Sequence, residues 1–520
     1  MGSLGHGVSA FVRRRVLACL AVAALLSAQA GSGLAAETAP PATWPTATWP
    51  TASPAAHGWD TTKLAEILLT IRDSGAPLHS LTLVQGGDVI LDAVFFPYDG
   101  STVHQLASVT KSITPTLVEM AAEEGLLSLD DPVLSFFPDR EIAARDARKE
   151  RITLRHLASM TSGLACTADG DERTLQQMKA SPDWVQFALD LPMVAEPGTS
   201  FSYCSPGMHL LSAALQEATD MTEEAFAREH LFEPLGITDL LWETDPQGYT
   251  RGWADLYLKP LDSAKLGYLW LQGGNWDGRQ LVSRAWIEDS IRVQAQTGGG
   301  DDYGYGWWLP RTTETGEYRA AGRGGQSIGV HPALDAIVVT TAGGIESAQV
   351  TDLLAPALIA PGSVLPPDPA GDAALAEAVA AVAEPPEPHP LRPLPATAIK
   401  VSGVTWAFEP NAKDFATARL DFTPGSAEAA VEVTFSTDEP TRAGAVGLDG
   451  VLRMSPGTGG LRWGFRGEWT DENTFQVEFD QIARFESFVL TFRFDGDHVT
   501  LEGRERSHEI GFTATGSRLP

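Results

Sequence analysis

The sequence predicts an α+β fold followed by a small all-β antiparallel barrel, on three observations. Strand-like runs near the start (80–85 and 89–95) are separated from a second set (304–309, 317–321, 326–331 and 336–342) by a long stretch of helical periodicity. A sheet divided in this way, with helices between its halves, is an α+β arrangement, and the inserted helices make a second lobe. From Pro361 the composition turns Pro- and Ala-rich, and after Ile399 the apolar pattern is almost wholly period two.

The chain has 520 residues, too many for one hydrophobic core. It begins with a targeting pattern. Arg13-Arg14-Arg15 precedes the apolar run Val16 to Leu26, and Ala28-Gln29-Ala30 fits a small-x-small cleavage site. We read residues 1–30 as a signal peptide and 31–56, rich in Ala, Thr and Pro, as a flexible leader. No later apolar run is long enough to span a bilayer. The expectation is an exported protein, periplasmic or extracellular in a bacterium, with no stable membrane insertion. Cys19 leaves with the signal peptide. Cys166 and Cys204 then form an even pair in an oxidising compartment, which predicts a disulfide.

Asp60 caps an amphipathic helix carrying Leu64, Ile67, Leu68 and Ile71 on one face. The strands 80–85 and 89–95 form a hairpin through Gly86-Gly87-Asp88. Helices are predicted at 184–191, 208–218, 223–231, 260–272 and 283–293. Residues 57–362 make the main domain. Residues 363–398 make a Pro/Ala-rich linker holding a short helix at 372–383, stiffened by Pro385-Pro386 through Pro395. Residues 399–520 hold about eight short strands, a lipocalin-like barrel.

A net charge of −30 and the lack of any basic block exclude nucleic acid as a partner. The scattered histidines show no metal-ligand spacing, so no metal and no cofactor are expected.

Chemistry concentrates at Ser108-Val109-Thr110-Lys111, at the mouth of a helix. Residues three apart share a helix face, so the Lys111 ammonium reaches the Ser108 hydroxyl. Serine becomes a nucleophile only when a base takes its proton, and a lysine serves when burial lowers its pKa. Ser-x-x-Lys alone recurs by chance. Its company is Tyr203-Cys204-Ser205 and Arg323-Gly324-Gly325, in that order along the chain.

With these motifs, residues 59–360 resemble the penicillin-recognising serine hydrolases, on the side of class C β-lactamases and their esterase and amidase relatives. The resemblance implies a five-stranded antiparallel sheet flanked by helices, an all-helical lobe, and a site in the cleft between. It implies Ser108 as acylated nucleophile, Lys111 as proton acceptor, and Tyr203 as general base, its phenol acidified by the lysine. The backbone N–H groups of Ser108 and Gln326 would form the oxyanion hole. Ser205, Arg323, Gly324 and Gly325 would bind substrate, a small ester or amide that carries a carboxylate for Arg323. Two departures weaken a β-lactam assignment: Tyr-Cys-Ser replaces Tyr-x-Asn, and Arg-Gly-Gly replaces Lys-Thr-Gly. The rival readings are a β-lactamase, a D-amino-acid peptidase, and a non-catalytic peptidoglycan or lactam binder.

Trp253, Tyr303 and Tyr305 read as cleft-lining or packing aromatics. His104, His156 and His331 read as structural. The acidic run Asp169 to Glu172 reads as a solvated turn.

Overall fold

The computed structural model describes residues 43–143, 145–167, 172–437, 441–457, 461–506 and 511–520. The expected signal peptide and residues 31–42 lie outside them. Helix α1 (Thr61–Ser74) starts where Asp60 accepts the backbone N–H of Lys63, as its cap predicts, and ends at Gly75 in the left-handed region. It buries Leu64, Leu68 and Ile71 against the first hairpin, β1 (Leu78–Gln85) and β2 (Asp88–Val94).

The chain next enters α2 (Thr110–Glu123) and the helical lobe, which includes α3 (Ser205–Thr219) and α4 (Pro260–Leu271). It returns through β3 (Ala295–Gln296), β4 (Asp301–Tyr303), β5 (Trp308–Pro310), β6 (Tyr318–Gly322), β7 (Gln326–His331) and β8 (Ala336–Ala342). All pairings are antiparallel, in the order β2-β1-β8-β7-β6-β5-β4-β3. Five strands, in the order β2-β1-β8-β7-β6, match the expected sheet. The three short strands β3 to β5 extend it to eight, and β5 meets β6 through one residue pair, Trp308 and Arg319.

One apolar core lies between the sheet and the helical lobe, a second on the other face beneath α1. The second core also takes Leu375, Ala378 and Val382 from α5 (Pro369–Ala383). The helix expected inside a linker is therefore a packed layer of the main domain. The leader corrects likewise from residue 43 onward. Trp44 and Trp49 pack on Tyr268, and Trp44 also on Trp276. The Trp49 indole N–H donates to the Leu261 carbonyl at 3.0 Å, and Ala52 and Pro50 bond the Val89 backbone. Two indoles bury more apolar area than the Ala/Thr/Pro composition around them suggests.

After a Pro-rich run, α6 (Ala396–Val401) leads into the barrel. Its strands are β9 (Thr405–Phe408), β10 (Phe415–Phe422), β11 (Glu428–Phe435), β12 (Arg442–Gly447), β13 (Arg453–Pro456), β14 (Arg462–Trp469), β15 (Thr474–Gln481), β16 (Ser487–Asp495), β17 (His498–Glu505) and β18 (Gly511–Arg518). Among the described residues this makes ten strands where about eight were expected. Nine close a ring through a β12–β14 contact, and β13 lies beside β14.

The barrel is joined to the main domain by its β15–β16 hairpin tip. The Ala483 carbonyl accepts the Gln105 N–H at 2.8 Å, Arg484 donates to Glu243 at 2.8 Å, and Phe485 lies against Gly324. Beside this contact the Tyr98 hydroxyl donates to Asp480, and Arg462 pairs with Asp99 at 2.6 Å.

Candidate active site

Ser108 stands in a 3-10 turn, Ala107–Val109, that runs directly into α2. Ala107 is held at φ +47, a left-handed conformation that a side chain rarely adopts. This turn aims the Ser108 side chain out of the helix, and the residue stays part-exposed while its neighbours are buried. The polar face of α2 is tied down: the Ser112 hydroxyl donates to the Gly306 carbonyl at 2.7 Å and Thr114 to the Gly252 carbonyl at 2.8 Å.

Lys111 is 1 % exposed. Its ammonium donates to Ser108 Oγ at 2.8 Å and to the Trp253 carbonyl at 2.8 Å, and lies 4.7 Å over the Tyr203 ring. Burial pushes its pKa down to about 8; Arg323 adds to this, while Glu172 and Asp255 oppose it. Tyr203 closes the cluster. It stands two residues before α3, with the Lys111 ammonium over its ring and the Ser108 hydroxyl among the groups acting on its phenol. The lysine was expected to acidify this phenol. Burial instead raises its pKa well above the ordinary value, helped by Tyr303 and Glu172, and the Ser108 bond and Arg323 only partly offset that.

Cys166 and Cys204 form the expected disulfide, with Cα atoms 5.3 Å apart. It ties the segment before Glu172 to the Tyr203–Ser205 turn. Ser205 donates to Glu172 Oε2 at 2.5 Å, and Glu172 Oε1 lies 3.7 Å from the Arg323 guanidinium. Glu172 is thus a site residue, not the solvated turn residue expected; residues 168–171 lie outside the described set. Its carboxylate meets the cation that a substrate carboxylate was expected to meet.

Arg323, Gly324 and Gly325 form the turn between β6 and β7, with Gly324 at φ +80 and Gly325 at φ +97. A side chain on Gly325 would strike the Ile345 carbonyl. Gln326 is opposite Gly322 on β7, one strand deeper. Its amide is spent on the Ala342 carbonyl and N–H and on the Arg323 carbonyl. The backbone that abuts the nucleophile is Gly322, where a Cβ would collide with the Leu106 carbonyl and lie 3.0 Å from Ser108 N.

The aromatics divide differently from the sequence reading. Trp253, Tyr303 and Tyr305 are all 3 % exposed or less. Trp253 contributes its carbonyl to Lys111, and Tyr305 accepts from Arg155. The part-exposed ring beside the cluster is Trp308, stacked on Tyr203 with centroids 5.9 Å apart. His104 and His331 are buried in hydrogen bonds, and His156 caps a short helix. No group of acidic, His or Cys side chains among the described residues could hold a metal ion.

The sequence model of the Beta-lactamase family matches residues 64–355, more than half of the chain. The chain belongs to that family. Two curated relatives are a monacolin J acid methylbutanoyltransferase of Aspergillus terreus and a lovastatin esterase of Penicillium rubens. The first is 29% identical over 169 residues, covering 28% of this chain and 40% of that protein. The second is 29% identical over 201 residues, covering 34% and 49%. The chain thus spans less than half the length of each. A solved structure from Bacillus anthracis, described as a candidate 6-aminohexanoate-dimer hydrolase, shares the fold. It has TM-score 0.51 at 18% identity, covering 60% of this chain and 86% of that one. The sheet and helical lobe of this Beta-lactamase family protein are those of the same fold.

Proposed function

We propose that this protein is an exported hydrolase of neutral esters or amides that works through an acyl group carried on Ser108. The observation that supports it most is the cluster at one hydroxyl: buried Lys111 has its Nζ 2.8 Å from Ser108 Oγ and 4.7 Å over the half-buried Tyr203 ring, beside a part-exposed serine. The targeting pattern of residues 1–30 and the disulfide support export.

In this reading neutral Lys111 takes the Ser108 proton as Oγ attacks the carbonyl carbon. With a pKa of about 8 it holds a usable neutral fraction at physiological pH. Tyr203, raised rather than lowered, is a poor anion and a good relay. Its hydroxyl passes the proton from Lys111 to the leaving oxygen or nitrogen as the tetrahedral centre collapses. Water enters by the reverse path and frees the acid. The oxyanion rests on the Ser108 N–H and on a backbone N–H at the Gly322–Arg323 end of β6, which takes the role expected of Gln326. One such donor is worth roughly 3 kcal/mol. Trp308 forms the apolar side of the cleft. Ser205 and Arg323 act through Glu172, so the substrate needs no carboxylate of its own.

Turnover of p-nitrophenyl acetate, a longer acyl ester, a D-amino-acid amide and a penicillin by the parent tests this. Ester turnover at least a hundredfold faster than penicillin hydrolysis is expected. Penicillin turnover that matches the ester would move the reading to a β-lactamase, and a lasting penicillin adduct without turnover would move it to a binder.

A further inference from the structure

A wall of aromatic rings begins where the Lys111 ammonium meets the Tyr203 ring. Tyr203 and Trp308, the first residue of β5, stack with their planes 25° apart and centroids 5.9 Å apart. Phe201 stands at 6.3 Å and 67° to Trp308, and Tyr303, at the end of β4, at 5.0 Å and 77°. Phe201 also lies 5.4 Å from Tyr303. Stacked and edge-to-face contacts of this kind fix rings relative to one another. The backbone fixes Trp308 further, since it pairs with Tyr303 on one side and with Arg319 of β6 on the other. Trp308 is therefore a rigid plate.

These rings do not close on one another as a core would. Tyr303 is 1 % exposed, whereas Phe201, Tyr203 and Trp308 all keep part of their surface open. The polar groups of the site are joined among themselves, Ser205 to Glu172 and Glu172 to Arg323. The wall is thus the apolar surface that a bound substrate can cover. Which end of the substrate covers it follows from Tyr203. In the function proposed above, the Tyr203 hydroxyl hands its proton to the leaving oxygen or nitrogen. A plate stacked on that tyrosine flanks the departing group before it flanks the acyl group.

We propose that Trp308, with Phe201, forms a leaving-group subsite, and that the preferred substrates are esters or amides of an alcohol or amine carrying a flat aromatic ring. This rests on the reading of Ser108 and Tyr203 given above. The carbonyl C–O or C–N bond breaks, the leaving atom takes the Tyr203 proton, and the ring-bearing alcohol or amine then parts from the plate. Ring-on-ring contact made away from the reacting bond holds the carbonyl over Ser108.

The test uses the full chain and the acetates of 2-phenylethanol, 2-cyclohexylethanol and ethanol. Their leaving alcohols are similar in acidity, so ratios of kcat/KM report contact. The parent should favour the phenyl over the ethyl ester roughly tenfold or more, and over the cyclohexyl ester about threefold. Trp308→Ala should bring the phenyl-to-ethyl ratio close to one, and Trp308→Phe should retain most of it. A purely structural defect would slow all three esters together and leave the ratio unmoved. Ethyl phenylacetate, with its ring on the acyl side, should not share the dependence on Trp308. A parent ratio near one, which needs no variant to fold, would overturn the proposal. So would a ratio that Trp308→Ala leaves in place, or an equal Trp308 dependence for ethyl phenylacetate. Fluorophosphonate labelling of the same preparation separates the two claims. A labelled parent without ring preference loses the subsite alone, whereas a folded parent that neither labels nor turns over any ester loses the Ser108 reading and the subsite with it.

Discussion

Lys111 sets the pH behaviour. Acylation needs its neutral form, which grows as pH rises through about 8, so kcat/KM should climb across that value and level above it. Glu172 holds the proton on Lys111 and Arg323 drives it off. Glu172→Gln should therefore move the rising limb to lower pH, and Arg323→Gln should move it to higher pH. Limbs that stay in place in both variants would remove Lys111 as the titrating base. Tyr203→Phe should cost roughly 10²–10⁴-fold in kcat if the hydroxyl relays the proton. A near-parental rate would leave Lys111 to act alone. Ser108, Lys111 and Tyr203 were legible because each is a chemically special residue in a spaced motif. Glu172 was not, because one carboxylate in an acidic run carries no sign that a serine 33 residues on and an arginine across the cleft will meet it. The phenol's pKa was misjudged for a related reason: motifs name neighbours, whereas burial depends on the whole fold.

At the scale of elements, β6 and the 3-10 turn touch at Gly322. Gly322→Ala places a methyl against the Leu106 carbonyl and 3.0 Å from Ser108 N. Turnover should fall about 10²–10³-fold, the loss of one oxyanion donor, and the clash should also lower the melting temperature, so the rates are compared below the variant's transition. Parental turnover in the alanine variant would put the oxyanion site elsewhere. The five long strands were legible because β1, β2, β7 and β8 present runs of β-branched and aliphatic residues between turn signals. Strands β3 to β5 have two or three residues each, too few for a clear period, and the strand expected at 304–309 is instead a turn closed by the Gly304 N–H on the Trp307 carbonyl at 2.9 Å, between β4 and β5. Helix α5 was legible as a helix but not as a layer. Its alanines give only a faint apolar face, and packing on α1 is a tertiary fact.

For the whole molecule, the barrel is joined to the site through Gln105, three residues before Ser108, and through the Gly324 turn. Truncation after Pro395 leaves both without these contacts, so ester turnover should drop at least tenfold in the folded fragment. Full kcat/KM there would make the barrel an appendage. The joint also half-buries Asp480 and Glu486, each pushed up to about 7 by desolvation. Their unfolded values lie near 4. Between about pH 4 and 7 the unfolded chain releases protons that the folded chain keeps, so their contribution to stability falls as pH rises and is flat above 7. Buried His79 and His104, held below the usual imidazole value, act in the opposite sense, so only a difference isolates the carboxyl. The melting temperature of Asp480→Asn minus that of the parent should rise from pH 4 to 7 and then stay level. A difference independent of pH would contradict a raised pKa at Asp480. Period-two patterning announced a barrel, but nothing in it marked which hairpin tip would meet the main domain.

The most direct measurement of the central claim is intact-mass analysis after exposure to a fluorophosphonate, with peptide mapping, on the parent and on Ser108→Ala. One adduct per chain on the Ser108 peptide of the parent, and none on the variant, is the predicted result. Equal labelling of both proteins, or a folded parent that takes no label, would contradict a nucleophilic Ser108.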